Sequence, residues 1–316
     1  MTVGTHTGDK ATGDSASTGH GGARRARLAP CAKDSGDGCA GQLGGRLVQC
    51  AEAAGLPVEG VGSAELDITD AGAVDSWVAP GAVVVNCAAY TAVDAAETDE
   101  AAATAVNETG ARNLASACSK AGADLIHVST DYVFSGDRAG ADAAPYEPGD
   151  PTGPRTAYGR TKLAGELAIR AVLPDAHIVR TAWVYTGSGT DFVATMLRLE
   201  KEKDTVSVVD DQVGSPTYAV DLAAGLLELA RVGGRPGATM HATNAGSATW
   251  FDLARAVFAG VGADPERVRP CTSADFVRPA PRPAYSVLSP RAWEAAGLTP
   301  LRPWRDALAD ALAQRR

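Results

Sequence analysis

Ala82-Val83-Val84-Val85-Asn86 and Asp124-Leu125-Ile126-His127-Val128-Ser129 are short, nearly unbroken apolar runs that lack the in-out alternation of a half-exposed strand. Runs of this kind read as strands covered on both faces, the environment of a parallel sheet flanked by helices. Outward from them, His177-Ile178-Val179-Arg180-Thr181 reads as a third such strand. Between the first two runs lies an alanine-rich helix, predicted to open at Thr98 and run to about Lys120 before Gly122. A capping hydroxyl there, with Asp99 and Glu100 in the first turn, suits the positive helix end. Gln42 to Gly55 reads as an earlier helix, and another is predicted to begin near Ala157. It follows a loop whose prolines at 145, 148, 151 and 154 forbid helix. The alternation predicts an α/β fold: a doubly wound parallel sheet with helices on both faces.

The 316 residues, 45% hydrophobic and 21% charged, are enough for one large core and a smaller attached lobe. A net charge of −9 offers no basic field for a polyanion, so nucleic acid is not an expected partner. No apolar run approaches the length needed to cross a bilayer, and no membrane association is expected. Residues 1–25 have little apolar content and read as a disordered extension without the hydrophobic block of a secretory signal. The cysteines show no CxxC pair or zinc-ligand spacing, which fits a reducing cytoplasm. Neither they nor the scattered histidines predict a metal site, and His127, mid-strand, reads as a satisfied core residue. Past Thr181 the alternation weakens and prolines punctuate shorter elements. The expected division is a main domain over 26–181 and a mainly smaller substrate-binding lobe over 182–316, some segments of which return to the main sheet.

Tyr158 and Lys162 are four apart in a helical segment, so both side chains project from one face. A nearby ammonium favours phenolate and draws the tyrosine down from its usual pKa of about 10. That pair suits proton transfer to a carbonyl oxygen. Thr130 stands just past the carboxyl end of a strand, where open parallel sheets bind ligands. Asn86-Cys87-Ala88-Ala89-Tyr90-Thr91-Ala92-Val93-Asp94 follows its own strand in the same way, and its small residues let a ligand approach the backbone.

In order and spacing these segments, with Ser129-Thr130-Asp131-Tyr132-Val133-Phe134 and Tyr158-Gly159-Arg160-Thr161-Lys162, resemble the extended short-chain dehydrogenase/reductases. They are most similar to the dTDP-4-dehydrorhamnose reductase family, which reduces the 4-keto group of a nucleotide-linked deoxysugar. The resemblance runs from about Gly38 to the C-terminus. It implies a Rossmann-like domain, NADPH (or NADH) as cofactor and a dTDP-linked deoxysugar as substrate, and it allows a homodimer. It also implies roles. Thr130 would polarise the carbonyl, Tyr158 donate the proton, and Lys162 bind the nicotinamide ribose as well. Thr91, Val93, Asp131, Tyr132 and Trp183 would contact the sugar nucleotide, with Arg282 on its nucleotide side. Cys87, Ala88 and Ala89 would border the cofactor, and Asp67 and Ile68 match the adenine-contacting segment, although Asp67 could equally cap the helix that follows.

Gly38-Cys39-Ala40-Gly41-Gln42-Leu43-Gly44 has the family's GxxGxxG spacing, suited to a pyrophosphate at a helix start. A polar, turn-forming segment, Lys33 to Asp37, precedes it, and the only strand candidate, Leu28 to Ala32, ends early. A degraded or displaced first strand is therefore expected. Gly62-Ser63 stands where NAD-binding folds place an acidic residue, and with no carboxylate to repel a 2′-phosphate, NADPH is favoured. Two alternatives stay open on this reading: a non-catalytic binding subunit with a weakened dinucleotide site, and a sugar epimerase of the same superfamily.

Overall fold

Strands β1 (Ala26–Ala29), β2 (Val58–Gly60), β3 (Val83–Asn86), β4 (Asp124–Thr130) and β5 (His177–Thr181) lie side by side and parallel. They belong to a computed structural model that describes residues 26–29, 41–138 and 143–314. The extension expected over 1–25, and Gly38, lie outside the described residues. Downstream come β6 (Val184–Tyr185), β7 (Val206–Val209), β8 (Val213–Gly214), β9 (Thr217–Tyr218) and β10 (Thr239–His241). The last of these returns to the main sheet beside β5, giving six parallel strands in the order β10-β5-β4-β3-β1-β2.

The first strand is present in the sheet, although it ends at Ala29, well short of the glycine motif, as a displaced strand would. β1 spans Ala26–Ala29, earlier than the Leu28 to Ala32 reading, and its backbone pairs in register with Val83–Asn86 on one side and Val58–Gly60 on the other. A parallel sheet needs a strand in that slot, because otherwise β2 and β3 would each expose a row of buried backbone groups. The strand order reverses between β1 and β3, which opens a crevice at their carboxyl ends.

Helices cover both faces: α1 (Gln42–Ala53), α2 (Ala71–Trp77), α3 (Val93–Ala96), α4 (Glu100–Thr104), α5 (Ala111–Ala121) and α6 (Ala157–Val172). The strand residues alternate between two cores. Val83 and Val85 pack with Leu43 and Leu47 of α1, whereas Val84 packs with Val74 of α2 and Leu114 of α5. The alanine-rich helix differs from its expected form. It is divided into α4, a π-helical turn over Ala105–Gly110, and α5, and its cap is Asp99, whose carboxylate accepts from Ala102 N. The Thr98 hydroxyl instead donates to Ala95 O at 3.0 Å, which removes it from capping. Asp70, not Asp67, caps α2. Asp67 closes its own turn, accepting from Thr69 N and Oγ1.

Beyond β5 the chain adds α7 (Phe192–Glu202), α8 (Ala219–Val232), β11 (Ala248–Thr249), α9 (Trp250–Gly260), β12 (Val268–Cys271), α10 (Arg291–Ala295) and α11 (Trp304–Ala313). Val193, Met196, Leu253, Val257, Phe258 and Leu308 form a separate apolar cluster there, while Leu222 and Leu226 of α8 join the main-sheet core beside α1. Among the described residues no helix is long and apolar enough to cross a membrane.

Candidate active site

Thr130 ends β4 buried at 6% exposure, and the chain turns there into a short 3-10 helix over Asp131–Val133. Its hydroxyl donates to Asp131 Oδ1 at 3.0 Å and accepts from Tyr132 N at 3.2 Å. Tyr158, in the first turn of α6, lies close enough to this hydroxyl for it to act on the phenol's proton affinity. Lys162 lies one turn on and is 1% exposed, its Nζ donating to Val128 O at 2.8 Å. The phenol and the alcohol are brought side by side, whereas the lysine nitrogen, on the same helix as the phenol, is turned to β4.

Local sequence explains the placement. A Cβ on Gly159 would lie 2.3 Å from Tyr132 O, and one on Gly165 would lie 2.1 Å from Asn107 O, so only glycine lets α6 dock this closely. Thr156 caps α6, accepting from Gly159 N, and Glu97 accepts from Ala157 N at 2.8 Å. Beneath the site Arg180 grips Glu166 through Nε at 2.9 Å and Nη2 at 2.7 Å, and Ser129 donates to the same carboxylate.

The electrostatics depart from expectation at one point. Burial pushes the Tyr158 phenol up to about 12, the Thr130 hydroxyl acting against the rise and Asp131 adding to it. The ammonium effect expected from Lys162 is not what governs the phenol, because the lysine nitrogen is turned to Val128 O and to His127 Nε2 at 3.3 Å. Burial brings Lys162 itself down to about 8, with Glu166 and Cys87 opposing. Asp131 is raised by burial to about 6, and its Oδ2 is enclosed without a hydrogen-bond partner.

The remaining predicted residues surround this centre or lie further out. Ala88 and Ala89 are buried and Cys87 half-buried just past β3, while Thr91 is exposed and Val93 half-buried. Tyr132 packs edge-on to Tyr158, ring centroids 5.5 Å apart. Trp183 stacks on Trp250 at 3.6 Å and 7°, and it is the one described non-glycine residue with positive φ, at 48°. Arg282 is engaged by Asp94 through both guanidinium nitrogens at 2.8 Å. Although burial opposes it, that grip and Ala280 N hold the Asp94 carboxyl below its ordinary value. At the other end of the crevice α1 opens at Gly41 with no side-chain cap and no carboxylate in its first turn. Gln42 there is exposed, whereas Leu43 is a core residue and Gly44 is buried. Ser63 is half-buried beyond β2, Asp67 exposed, and Ile68 buried against Gly110.

Asn107, unnoticed in the sequence, sits in the π-turn and binds the Asn86–Asp94 loop, accepting from Tyr90 N at 2.8 Å and donating to Tyr90 O, while also donating to Thr161 Oγ1. An amide in an alanine-rich helix was the available signal. Asn86 and His127 are joined at 2.9 Å nearby, and His127 is the buried, satisfied core residue that its mid-strand position predicts.

A model of the RmlD substrate binding domain matches residues 37–316. The chain belongs to the RmlD family. It is 57% identical over 277 residues to a dTDP-4-dehydrorhamnose reductase of Mycobacterium tuberculosis, covering 87% of this chain and 91% of that protein. The crystal structure of a dTDP-4-dehydrorhamnose reductase from Clostridium acetobutylicum superposes with a TM-score of 0.83 at 37% identity, covering 92% of this chain and 99% of that one. The Bacillus anthracis enzyme of the same name, solved in complex with NADP, gives a TM-score of 0.83 at 33% identity with the same coverage, 92% and 99%. The Rossmann-like class expected from the buried strands is the fold of this family.

Proposed function

We propose that this protein is an NADPH-dependent reductase of the 4-keto group of a dTDP-4-keto-6-deoxyhexose, carrying out the dTDP-4-dehydrorhamnose reductase reaction. The observation that carries the proposal is Tyr158 beside Thr130 at the carboxyl end of β4, with Lys162 buried one helical turn on, in a chain of the RmlD family. A dinucleotide fits the residues present. The uncapped amides at Gly41, Gln42 and Leu43 suit a pyrophosphate, small residues at Cys87, Ala88 and Ala89 allow close approach, and Lys162 and Tyr158 lie further along the crevice. Bound NADPH supplies the hydride that reduces the ketone carbon.

The protein's own groups manage the oxygen. With its pKa near 12, the Tyr158 phenol holds its proton at neutral pH, as a general acid for ketone reduction must. Thr130 lies beside that phenol and can turn its hydroxyl to the same substrate oxygen. Asp131 and the backbone N–H of Tyr132 set the resting orientation of the Thr130 hydroxyl. Lys162, buried and anchored on Val128 O, is the residue to hold the ribose. Trp183 is assigned to the sugar ring, and Thr91, Val93, Asp131 and Tyr132 to further contacts with the sugar nucleotide, on the family resemblance. The division into a 26–181 cofactor domain and a 182–316 substrate lobe belongs to the same proposal, as does a cytoplasmic location. β1 in its sheet position removes the motive for a non-catalytic binding subunit.

The test is incubation with dTDP-4-keto-6-deoxyglucose, with and without a 3,5-epimerase, following NADPH absorbance and identifying the product by NMR. Tyr158→Phe should lower kcat by about 100-fold to 10,000-fold. Unimpaired turnover by that variant would overturn the assignment of the acid.

A further inference from the structure

Asn86, His127 and Lys162 form a continuous polar chain from β3 through β4 to α6, with exposures of 0%, 0% and 1%. Its proton positions follow from donor and acceptor logic. Asn86 Oδ1 accepts from Ala88 N at 2.9 Å, which fixes the amide, since the flipped form would oppose two donors. Asn86 Nδ2 must therefore donate, and the atom it reaches at 2.9 Å, His127 Nδ1, must accept. Burial and the neighbouring Lys162 hold the imidazole well below its ordinary pKa, so it is neutral and its one proton sits on Nε2.

That N–H faces Lys162 Nζ across 3.3 Å. An ammonium has only donors, so it gains no hydrogen bond there and meets the positive end of an N–H dipole. A neutral amine could accept. We propose that His127, its tautomer set by Asn86, is a positioning residue for Lys162 that eases loss of the lysine proton and makes cofactor affinity fall at alkaline pH. This rests on the reading above that Lys162 holds the cofactor. The other groups facing the lysine act oppositely: Glu166 on its own helix and Cys87 beyond β3 both favour the ammonium. Val128 O, which accepts from the lysine, also suits the ammonium, so burial and the His127 N–H are what oppose it, and Glu166 is already engaged by Arg180 and Ser129.

Two measurements test this. Long-range 15N spectra of the native protein should find His127 protonated on Nε2, and on Nδ1 in Asn86→Asp, whose carboxylate can only accept. NADPH fluorescence titrations should show native affinity weakening above a pH of about 8. In N86D the freed Nε2 lone pair accepts from the ammonium, so at pH 9 the variant should retain about fivefold more of its neutral-pH affinity than the native protein, a shift of about one pH unit. Measured against His127→Leu, the added Asn86→Asp should shift the limb no further, which separates the tautomer from the added charge. His127→Leu alone should move the limb upward as well, giving a second reading should N86D fold poorly. A native Nδ1–H tautomer, an unmoved limb in both single variants, or an N86D effect that survives H127L would each overturn the inference. Absence of NADPH binding at pH 7 would instead overturn the functional reading, and the ring tautomer would still decide the protonation argument.

Discussion

At Trp183 the backbone takes φ 48°, a conformation that costs a non-glycine residue of order 1–3 kcal/mol and persists only where its surroundings over-determine it. The surroundings here are specific. Trp250 lies flat on one face at 3.6 Å, and a Cβ at Gly214 would sit 2.4 Å from the indole. The ring is thus held from two directions with its orientation set before any sugar arrives. Trp250→Ala should release it, raising KM for the sugar nucleotide about tenfold, with the KM for NADPH and the kcat changed far less; the tenfold corresponds to the roughly 1 kcal/mol of an aromatic pair. Steady-state kinetics with each substrate varied would check it, and equal changes in both KM values would sink the idea. Trp183 could be singled out from its segment, but its partner could not, because Trp183 and Trp250 lie far apart in the chain and meet only through packing.

Among the elements, α6 matters most, since it carries both Tyr158 and Lys162 and is anchored by contacts the sequence does not advertise. Its glycines at 159 and 165 touch the backbones of Tyr132 and Asn107, and Glu166 lies under Ser129 in a buried pair with Arg180. Removing one member of such a pair leaves an uncompensated buried charge, so Glu166→Gln should cost about 3–5 kcal/mol of stability. Urea unfolding at pH 7 would measure it, and a loss under 1 kcal/mol would show that the guanidinium finds other partners. The start of α6 was readable from the proline-rich loop before it and from Thr156. The break in the preceding alanine-rich helix was not, because the π-turn that carries Asn107 arises from docking against Tyr90 and Thr161 rather than from local propensity.

For the whole molecule, the buried histidines make stability depend on pH with a definite sign. Burial lowers the pKa of His127, His177 and His241, the last to about 3. The unfolded chain takes up protons below about pH 6.5 that the folded chain refuses, so stability should fall as pH drops through that value. The slope is at most about 1.4 kcal/mol per pH unit for each histidine, extending for His241 down to about pH 3. Asp131 works the other way. Its folded pKa of about 6 stands above its unfolded value near 3.8, so its own contribution rises as pH falls between the two. Three groups against one predict a net loss, visible as a lower denaturant midpoint at pH 5 than at pH 7. A constant or higher midpoint at pH 5 would refute it.

The sequence by itself determined the parallel sheet, the helices on its faces, the strand end that carries the hydroxyl and the helix that carries both the phenol and the lysine. Those features follow from apolar runs and spacings that act over a few residues, and local patterning is enough to express them. Tertiary structure alone decided that β1 fills the slot between β3 and β2 despite its polar surroundings, that β10 returns to the sheet edge, and that Lys162 faces His127 and Val128 instead of the phenol. Each of those outcomes depends on hydrogen-bond partners distant in the chain, and a buried polar group takes whichever partner the fold brings within reach.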